Sequence, residues 1–180
     1  GSWHALPARG LAAASYGAVN ALAVQRGDLY VGGAFTQTGD GATPGLGNIA
    51  RYDPSAGTWH ALPDQGLSGP VFALAADGED LFVGGEFAET GDGSLSDLGH
   101  IAVRDGASGA WRPLPNRGLG VGGAGACRVE ALALHGTDLY VGGGFTHTDD
   151  GLVTDLGGIA RFGAPHPSGH GVYLPLVTRR

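Results

Sequence analysis

One eight-residue phrase occurs three times in this chain with only small changes. It reads DLYVGGAF at residues 28–35, DLFVGGEF at 80–87 and DLYVGGGF at 138–145. Each copy follows a phrase V-x-A-L and precedes a phrase that contains Ile-Ala. Self-similarity over a few tens of residues indicates a repeat architecture, in which each repeat is one supersecondary unit that packs against its neighbours.

The spacing within the repeat shows which part of it is rigid. From the valine of V-x-A-L to the valine of the glycine phrase the interval is 12 residues in all three copies, and from there to the isoleucine it is 18. The length varies only between the Leu-Pro after each tryptophan phrase and the next V-x-A-L. The segments 8–18, 64–70 and 116–128 are therefore predicted to be variable loops.

The repeated phrases are typical of β-strands. They are four to eight residues long, rich in Val, Leu, Ile and aromatic residues, and bounded by Gly, Asp, Asn or Pro. Short polar glycine turns join the first two strands of each repeat, which predicts antiparallel hairpins. The small apolar phrase VNALAV at 19–24 predicts a strand buried on both faces, and Gly-Gly in the second strand predicts a bulge or a close backbone approach. The predicted fold class is all-β.

The phrases V-x-A-L-A, L-Y-V-G-G-x-F, N-I-A-R-Y-D and G-T-W-H-A-L together resemble the repeat of bacterial exported β-propeller proteins, relatives of kelch-like and delta-60-type repeat proteins. The resemblance covers about residues 1–163. It implies three four-stranded blades at about 19–62, 71–114 and 129–162, with V-x-A-L innermost and the tryptophan strand outermost, so that Trp59 and Trp111 lie between adjacent sheets. A β-trefoil, which also has three four-stranded repeats, is the alternative, although its Q-x-W lectin signature is absent.

Three blades are fewer than the four to eight that propellers typically contain. Residues 1–6 match an outer strand, whereas the third repeat ends at its third strand near Phe162, so the third sheet is predicted to lack an outer strand. Three segments are candidates for that place. They are residues 1–6 of a second copy, which gives a two-chain ring of six blades, further repeats of a longer protein, and the tail strand 172–180 after the Gly/Pro linker 164–171. The tail is expected to dock on its own chain or on a neighbour in a polymer.

Strand edges therefore make the chain itself, or another propeller segment, the predicted partner. The residues predicted to make these contacts are Trp3, His4, Ala5, Leu6, Val172, Tyr173, Leu174 and Leu176.

The loops between second and third strands, 36–47, 88–99 and 146–157, are expected to emerge on the same face as the variable loops and to form the binding face with them. These loops contain the acidic residues Asp40, Asp92, Asp97, Asp149, Asp150 and Asp155. Carboxylates in such loops can bind calcium, but the spacing is not that of a D-x-D-x-D-G loop and Asp-Gly is an ordinary turn dipeptide. Calcium binding and turn formation are both open at this point, and no other cofactor is predicted.

Composition restricts the function. The net charge of -7 argues against nucleic-acid binding, and no apolar stretch approaches the ~18 residues that span a membrane. The sequence contains no nucleophile elbow or H-E-x-x-H motif, and its single cysteine, Cys127, can form no intrachain disulfide. We expect a non-enzymatic, extracellular or cell-surface module for scaffolding, adhesion or self-assembly. The alternative is a carbohydrate- or ligand-binding module, with Tyr16 and His147 in its loops as glycan contacts.

Overall fold

The computed structural model of the chain describes residues 1–14, 17–122 and 125–163. Its regular structure is almost entirely β, so the all-β prediction is confirmed. The only helical elements among the described residues are three single 3-10 turns, one after each tryptophan phrase. These turns are Pro7–Arg9, Pro63–Gln65 and Pro115–Arg117.

Fifteen strands occupy the described residues. The first repeat contains β1 (Leu11–Ala12), β2 (Ala18–Gln25), β3 (Asp28–Ala34), β4 (Gln37–Thr38), β5 (Ile49–Asp53) and β6 (Thr58–Ala61). The second contains β7 (Val71–Asp77), β8 (Asp80–Gly85), β9 (Ile101–Arg104) and β10 (Trp111–Pro113). The third contains β11 (Leu119–Gly120), β12 (Arg128–His135), β13 (Asp138–Gly144), β14 (His147–Thr148) and β15 (Ile159–Phe162).

Each repeat forms its own antiparallel sheet. The strand order is β2-β3-β5-β6 in the first sheet, β7-β8-β9-β10 in the second and β12-β13-β15 in the third. Within the described part of the chain the third sheet thus has three strands where the other two have four. Two small ladders, β1-β4 and β11-β14, accompany the first and third sheets.

A tight hairpin and a bulge shape the first two strands of each repeat. In the first repeat Gln25 is paired with Asp28, and the two loop residues between them, Arg26 and Gly27, both have positive φ, as a type I′ hairpin turn requires. The register then shifts between Val19 and Ala21, opposite the Gly-Gly pair, and the same shift recurs in the second and third repeats. The predicted bulge is therefore confirmed.

The three sheets stack face to face in chain order. The first strands of the three sheets lie side by side, with β7 in contact with both β2 and β12. Buried residues of neighbouring repeats share clusters: Trp111 of the second sheet is buried with Ile49 and Leu62 of the first. The prediction that tryptophans lie between sheets is confirmed for Trp111, whereas Trp59 packs against the first 3-10 turn, where Ala8 joins its cluster.

The prediction that VNALAV is buried on both faces is wrong. Val19, Leu22 and Val24 are exposed on the first sheet. The reason is positional, because among the described residues no sheet precedes the first one. Residues 1–6 form no strand in this isolated chain, and Trp3 is fully exposed. Nor does any described helix have the length and apolar character that crossing a membrane requires.

Candidate interaction surfaces

Adjacent sheets are joined by a valine that fills the space over a glycine. A Cβ built on Gly32 would overlap the Cγ1 of Val71 and lie 3.1 Å from its Cβ. A Cβ on Gly84 would meet Val129 in the same way, with the Val129 Cβ at 3.0 Å. The second strand of one sheet therefore needs glycine here because the first strand of the next sheet occupies its side-chain space. At these two glycines the close neighbour is a side chain, whereas the predicted close backbone approach is found at Gly33, where a Cβ would overlap the Ala18 carbonyl oxygen.

The first sheet presents the valine half of this contact to solvent. Val19 is the counterpart of Val71 and Val129, which are both fully buried, whereas Val19 itself is exposed. Leu22, on the same strand, has no described sheet against it and is 62% exposed. We call the exposed side chains of Val19, Leu22 and Val24 the leading face. Three neighbouring apolar side chains on one strand form a contiguous patch of the kind that marks an interaction site.

The third sheet presents the glycine half. Among the described residues, a Cβ on Gly142 would find only the Ala131 Cβ, at 3.6 Å, so none of them fills the space that a valine fills at the two internal junctions. Beside it, Ile159 is 68% exposed whereas its first-sheet counterpart Ile49 is completely buried. Tyr140 is likewise exposed. We call Tyr140, Gly142 and Ile159 the trailing face.

A cavity of about 430 Å³ lies between the second and third sheets. Its lining includes Ile101, Leu114 and Pro115 from the second repeat, and Leu156, Ala160 and Phe162 from the third. It adjoins β15, which pairs with β13 and with no other described strand. The cavity is partly open to solvent, so it is a pocket between the two sheets rather than a sealed interior void.

The tryptophan strands are anchored by a recurrent hydrogen bond. Trp59 Nε1 donates to the carbonyl oxygen of Pro7 at 3.1 Å, and Trp111 Nε1 donates to that of Pro63 at 3.2 Å. Each acceptor belongs to the Leu-Pro that follows the preceding tryptophan phrase. A buried indole N–H needs such a partner, so the carbonyl fixes where the ring lies.

The residues predicted to mediate assembly are only partly within the described chain. Trp3, His4, Ala5 and Leu6 are all exposed, which leaves them accessible to a partner. Val172, Tyr173, Leu174 and Leu176, with the linker 164–171 and the tail 172–180, lie outside the described residues. The trailing face and the cavity were not identified from the sequence. The repeat does contain a signal for them, because Gly142 and Ile159 are the counterparts of Gly32 and Ile49, and no following repeat among the described residues covers them.

The loops behave as one face, as predicted. Short pairings join each variable loop to the loop between the second and third strands of the repeat that it leads into. These pairings are Leu11 with Thr38, Leu67 with Thr90 and Leu119 with Thr148. His147 lies on this face with its Nδ1 2.9 Å from Thr146 Oγ1, whereas Tyr16 lies outside the described residues.

Three of the acidic residues close turns. The Oδ1 of Asp40 accepts from Thr38 Oγ1 at 2.8 Å and from the Ala42 N–H at 3.0 Å. Asp92 and Asp150 accept the equivalent hydroxyl and backbone bonds in their own loops. The Ala42 N–H and the Thr38 hydroxyl hold the pKa of Asp40 below its ordinary value. Each carboxylate is thus engaged within its own loop.

The side chains of the other acidic residues do not take part in these turn bonds. Asp97 pairs with Arg117, which also reaches Asp149 at 3.5 Å, and Asp155 accepts from the neighbouring Thr154 hydroxyl. Among the described residues no three His, Cys, Asp or Glu side chains are grouped to hold a metal ion. Calcium binding at these loops stays a prediction.

Two titratable groups have pKa values shifted by burial, of which Cys127 is buried and His100 is half-buried. Burial raises the pKa of the Cys127 thiol to about 11, and its Sγ lies 3.6 Å from the Leu119 carbonyl oxygen. A thiol with this pKa is protonated near neutral pH and is a poor nucleophile. Burial lowers the pKa of His100, so its imidazole is neutral over a wider pH range than that of an exposed histidine.

No protein-family model matches the chain. Over 96 residues it is 34% identical to the polarized growth protein L1 of Phoma sp. (strain ATCC 20986 / MF5453), a match that covers 53% of this chain and 6% of that protein. Over 95 residues it is 35% identical to the polarized growth protein rax2 of Schizosaccharomyces pombe (strain 972 / ATCC 24843), covering 53% of this chain and 7% of that protein. The matched part of the chain thus spans less than a tenth of each of these relatives.

Among solved structures, the computationally designed Ika4 protein resembles the chain with a TM-score of 0.40 and 15% identity. That match covers 81% of this chain and 91% of the designed protein. Both curated relatives are fungal, so the resemblance to bacterial exported repeat proteins stays a prediction.

Proposed function

We propose that this chain is a non-enzymatic scaffolding module that binds further sheets of its own repeat type at its leading and trailing faces. One observation carries the proposal. The chain makes the valine-on-glycine contact twice internally, between Gly32 and Val71 and between Gly84 and Val129, and within the described residues its two halves are uncovered on the first and third sheets.

The two faces differ from each other and are complementary. A contact between the leading face of one copy and the trailing face of another is heterologous, so an open assembly keeps one unused leading face and one unused trailing face until a ring closes. Covering Val19, Leu22 and Val24 removes apolar surface from water, which favours association. No new type of contact is needed, because the internal junctions already provide the geometry.

A propeller-type arrangement supports this assembly. Each repeat keeps its long strands in one sheet, and the first strands of the three sheets lie next to one another, as blades do around an axis. Three sheets fall short of a typical propeller, whereas two copies supply six, within the usual range of four to eight. This arrangement is favoured over a β-trefoil because each repeat stays within its own sheet.

We also propose an extracellular or cell-surface location, because the repeat resembles that of exported proteins. The fungal relatives are named polarized growth proteins, and a scaffolding role is compatible with such a process. Since each of those proteins is far longer than the matched segment, we propose that neighbouring repeats cover the equivalent faces there.

Two exposed leucines provide the test. Leu22 lies on the leading face, and Leu152 lies in a loop, is 76% exposed and belongs to neither face. We expect sedimentation velocity to show an assembled wild type, a monomeric Leu22→Asp variant and an assembled Leu152→Asp variant. Circular dichroism controls for folding. The proposal is wrong if Leu22→Asp sediments like wild type, or if wild type stays monomeric at every concentration.

A further inference from the structure

The cavity between the second and third sheets is lined by residues equivalent to those that surround a buried tryptophan at the other junction. Its lining residues Ile101, Leu114, Leu156 and Ala160 occupy the repeat positions of Ile49, Leu62, Leu98 and Ala102. Those four counterparts form one buried cluster with Trp111, which is only 5% exposed. In the junction between the first and second sheets the site is therefore filled by an indole, and at the next junction it is a cavity.

The cavity also contains the hydrogen-bond acceptor that an indole needs. Pro7 and Pro63 provide the carbonyl oxygens that accept from Trp59 and Trp111, and Pro115 is the next proline in this series. Pro115 lines the cavity. The chain has three tryptophans, of which Trp59 and Trp111 are already in place. Trp3 is the remaining one, and it is fully exposed.

We propose that residues 2–5 of a second copy add to β15 as the fourth strand of the third sheet, with the indole of Trp3 in the cavity. The sequence Ser-Trp-His-Ala at 2–5 matches Thr-Trp-His-Ala at 58–61, which is strand β6. In the first sheet β6 pairs with β5 so that Ala61 is opposite Ala50 and Trp59 is opposite Tyr52. The same register places Ala5 opposite Ala160 and Trp3 opposite Phe162.

A single placement of the second copy lets its residues 2–5 pair with β15 and its leading face cover the trailing face of the first copy. After β6 the chain runs through Pro63–Gln65 into β7, whose Val71 covers Gly32. After residues 2–5 it runs through the matching turn Pro7–Arg9 into β2, whose Val19 then covers Gly142 of the first copy. The inference rests on the proposed function and names its partner as a second copy, bound by strand addition.

Interchain disulfide formation tests the register directly. In a Cys127→Ala background, Ala5→Cys and Ala160→Cys are made in separate chains and mixed under oxidising conditions. Residues directly opposite in an antiparallel pair have Cβ atoms about 4.5–5.5 Å apart, near the range of a disulfide. We expect a covalent dimer from this mixture. His4→Cys with Ala160→Cys is the matched control, and we expect little product because adjacent residues face opposite sides of the sheet.

The outcomes separate this inference from the proposed function. If wild type assembles and Leu22→Asp dissociates it, but neither cysteine mixture links, strand addition is wrong while face-to-face scaffolding survives. If both mixtures link equally, the register is wrong. If wild type is monomeric, both proposals fail. A monomer in which the Ala160→Cys thiol resists maleimide would assign the edge to a segment of the same chain.

A second readout follows the indole. We expect the fluorescence emission of Trp3 to shift to shorter wavelength as the protein concentration rises through the association range, and Trp3→Phe to abolish this shift. We expect Trp3→Ala to weaken association at least tenfold and to leave the monomer folded. Association of Trp3→Ala as tight as wild type would overturn the inference.

Discussion

Alanine substitution at three equivalent glycines is expected to affect stability differently at the internal junctions and at the trailing face. Gly32, Gly84 and Gly142 occupy the same repeat position, and the chain has the same backbone conformation to maintain at each. A Cβ on Gly84 would overlap Val129, whose side chain is completely buried and has no room to withdraw. Within the part of the chain that the structure describes, a Cβ on Gly142 would make one ordinary contact, with Ala131 at 3.6 Å.

The two substitutions are expected to change the free energy of unfolding differently. Overpacking of one methyl group typically costs roughly 1–3 kcal/mol, so Gly84→Ala is expected to lower the free energy of unfolding by about that amount. Gly142→Ala is expected to leave it unchanged or to raise it by about 0.4–1 kcal/mol, because alanine has less backbone freedom to lose on folding. In the assembly, however, Val19 of the second copy would meet the new methyl group at position 142. A penalty of roughly 1–3 kcal/mol weakens association about 5- to 150-fold.

Urea unfolding of the monomer and sedimentation of the assembly measure these two effects. Unfolding is measured in the Leu22→Asp background, which keeps the chains monomeric, so that association does not contribute to the stability. The reasoning is refuted if Gly142→Ala destabilises the monomer as much as Gly84→Ala does. It is refuted equally if Gly142→Ala assembles as tightly as wild type.

Three further predictions concern the tryptophans and the loops. Trp111→Phe loses the hydrogen bond to Pro63 and leaves part of its buried site empty, so we expect urea unfolding to give a free energy of unfolding roughly 1–3 kcal/mol lower. Trp3→Phe should change the stability of the monomer by less than about 0.5 kcal/mol, because Trp3 is exposed. Equal effects of the two substitutions would contradict this prediction. Asp40 has a folded-state pKa below its ordinary 3.8, so its stabilising contribution is present above that pH and is lost as the pH falls through the lower folded value. Asp40→Asn should therefore reduce the acid dependence of the unfolding midpoint, and an unchanged profile would argue against the turn. Because Asp40 and its counterparts are engaged in turns, we expect calcium to leave the thermal midpoint unchanged, and a rise on titration would instead support the calcium-site prediction.

The sequence was sufficient for most of the local structure. The hairpins, the bulge opposite Gly-Gly and the loop pairings follow from turn residues and short apolar phrases, which act over a few residues. The role of Asp40 in a turn also follows from Asp-Gly. These features recur in each repeat because the same local chemistry recurs.

Burial of the end sheets was not predictable in the same way. VNALAV and its buried counterpart VFALAA have the same character, yet Leu22 is exposed because its partner sheet is absent from the described residues. Gly142 and Ile159 likewise have the same identity as Gly32 and Ile49. The repeat alignment predicts a third sheet without an outer strand, but the cavity beside β15 depends on how the second and third sheets pack, which no local pattern indicates. Burial depends on neighbours, and the ends of a stack lack one.

The absolute mass of the wild-type chain in solution tests the central claim most directly. Light scattering over a dilution series should give a discrete species of about twice the monomer mass of 18.0 kDa, with no intermediate and no open-ended growth, because two copies close a ring of six sheets. A mass of 18.0 kDa at every concentration would contradict head-to-tail assembly of this chain. A mass that keeps increasing with concentration would retain the contact but contradict closure of the ring.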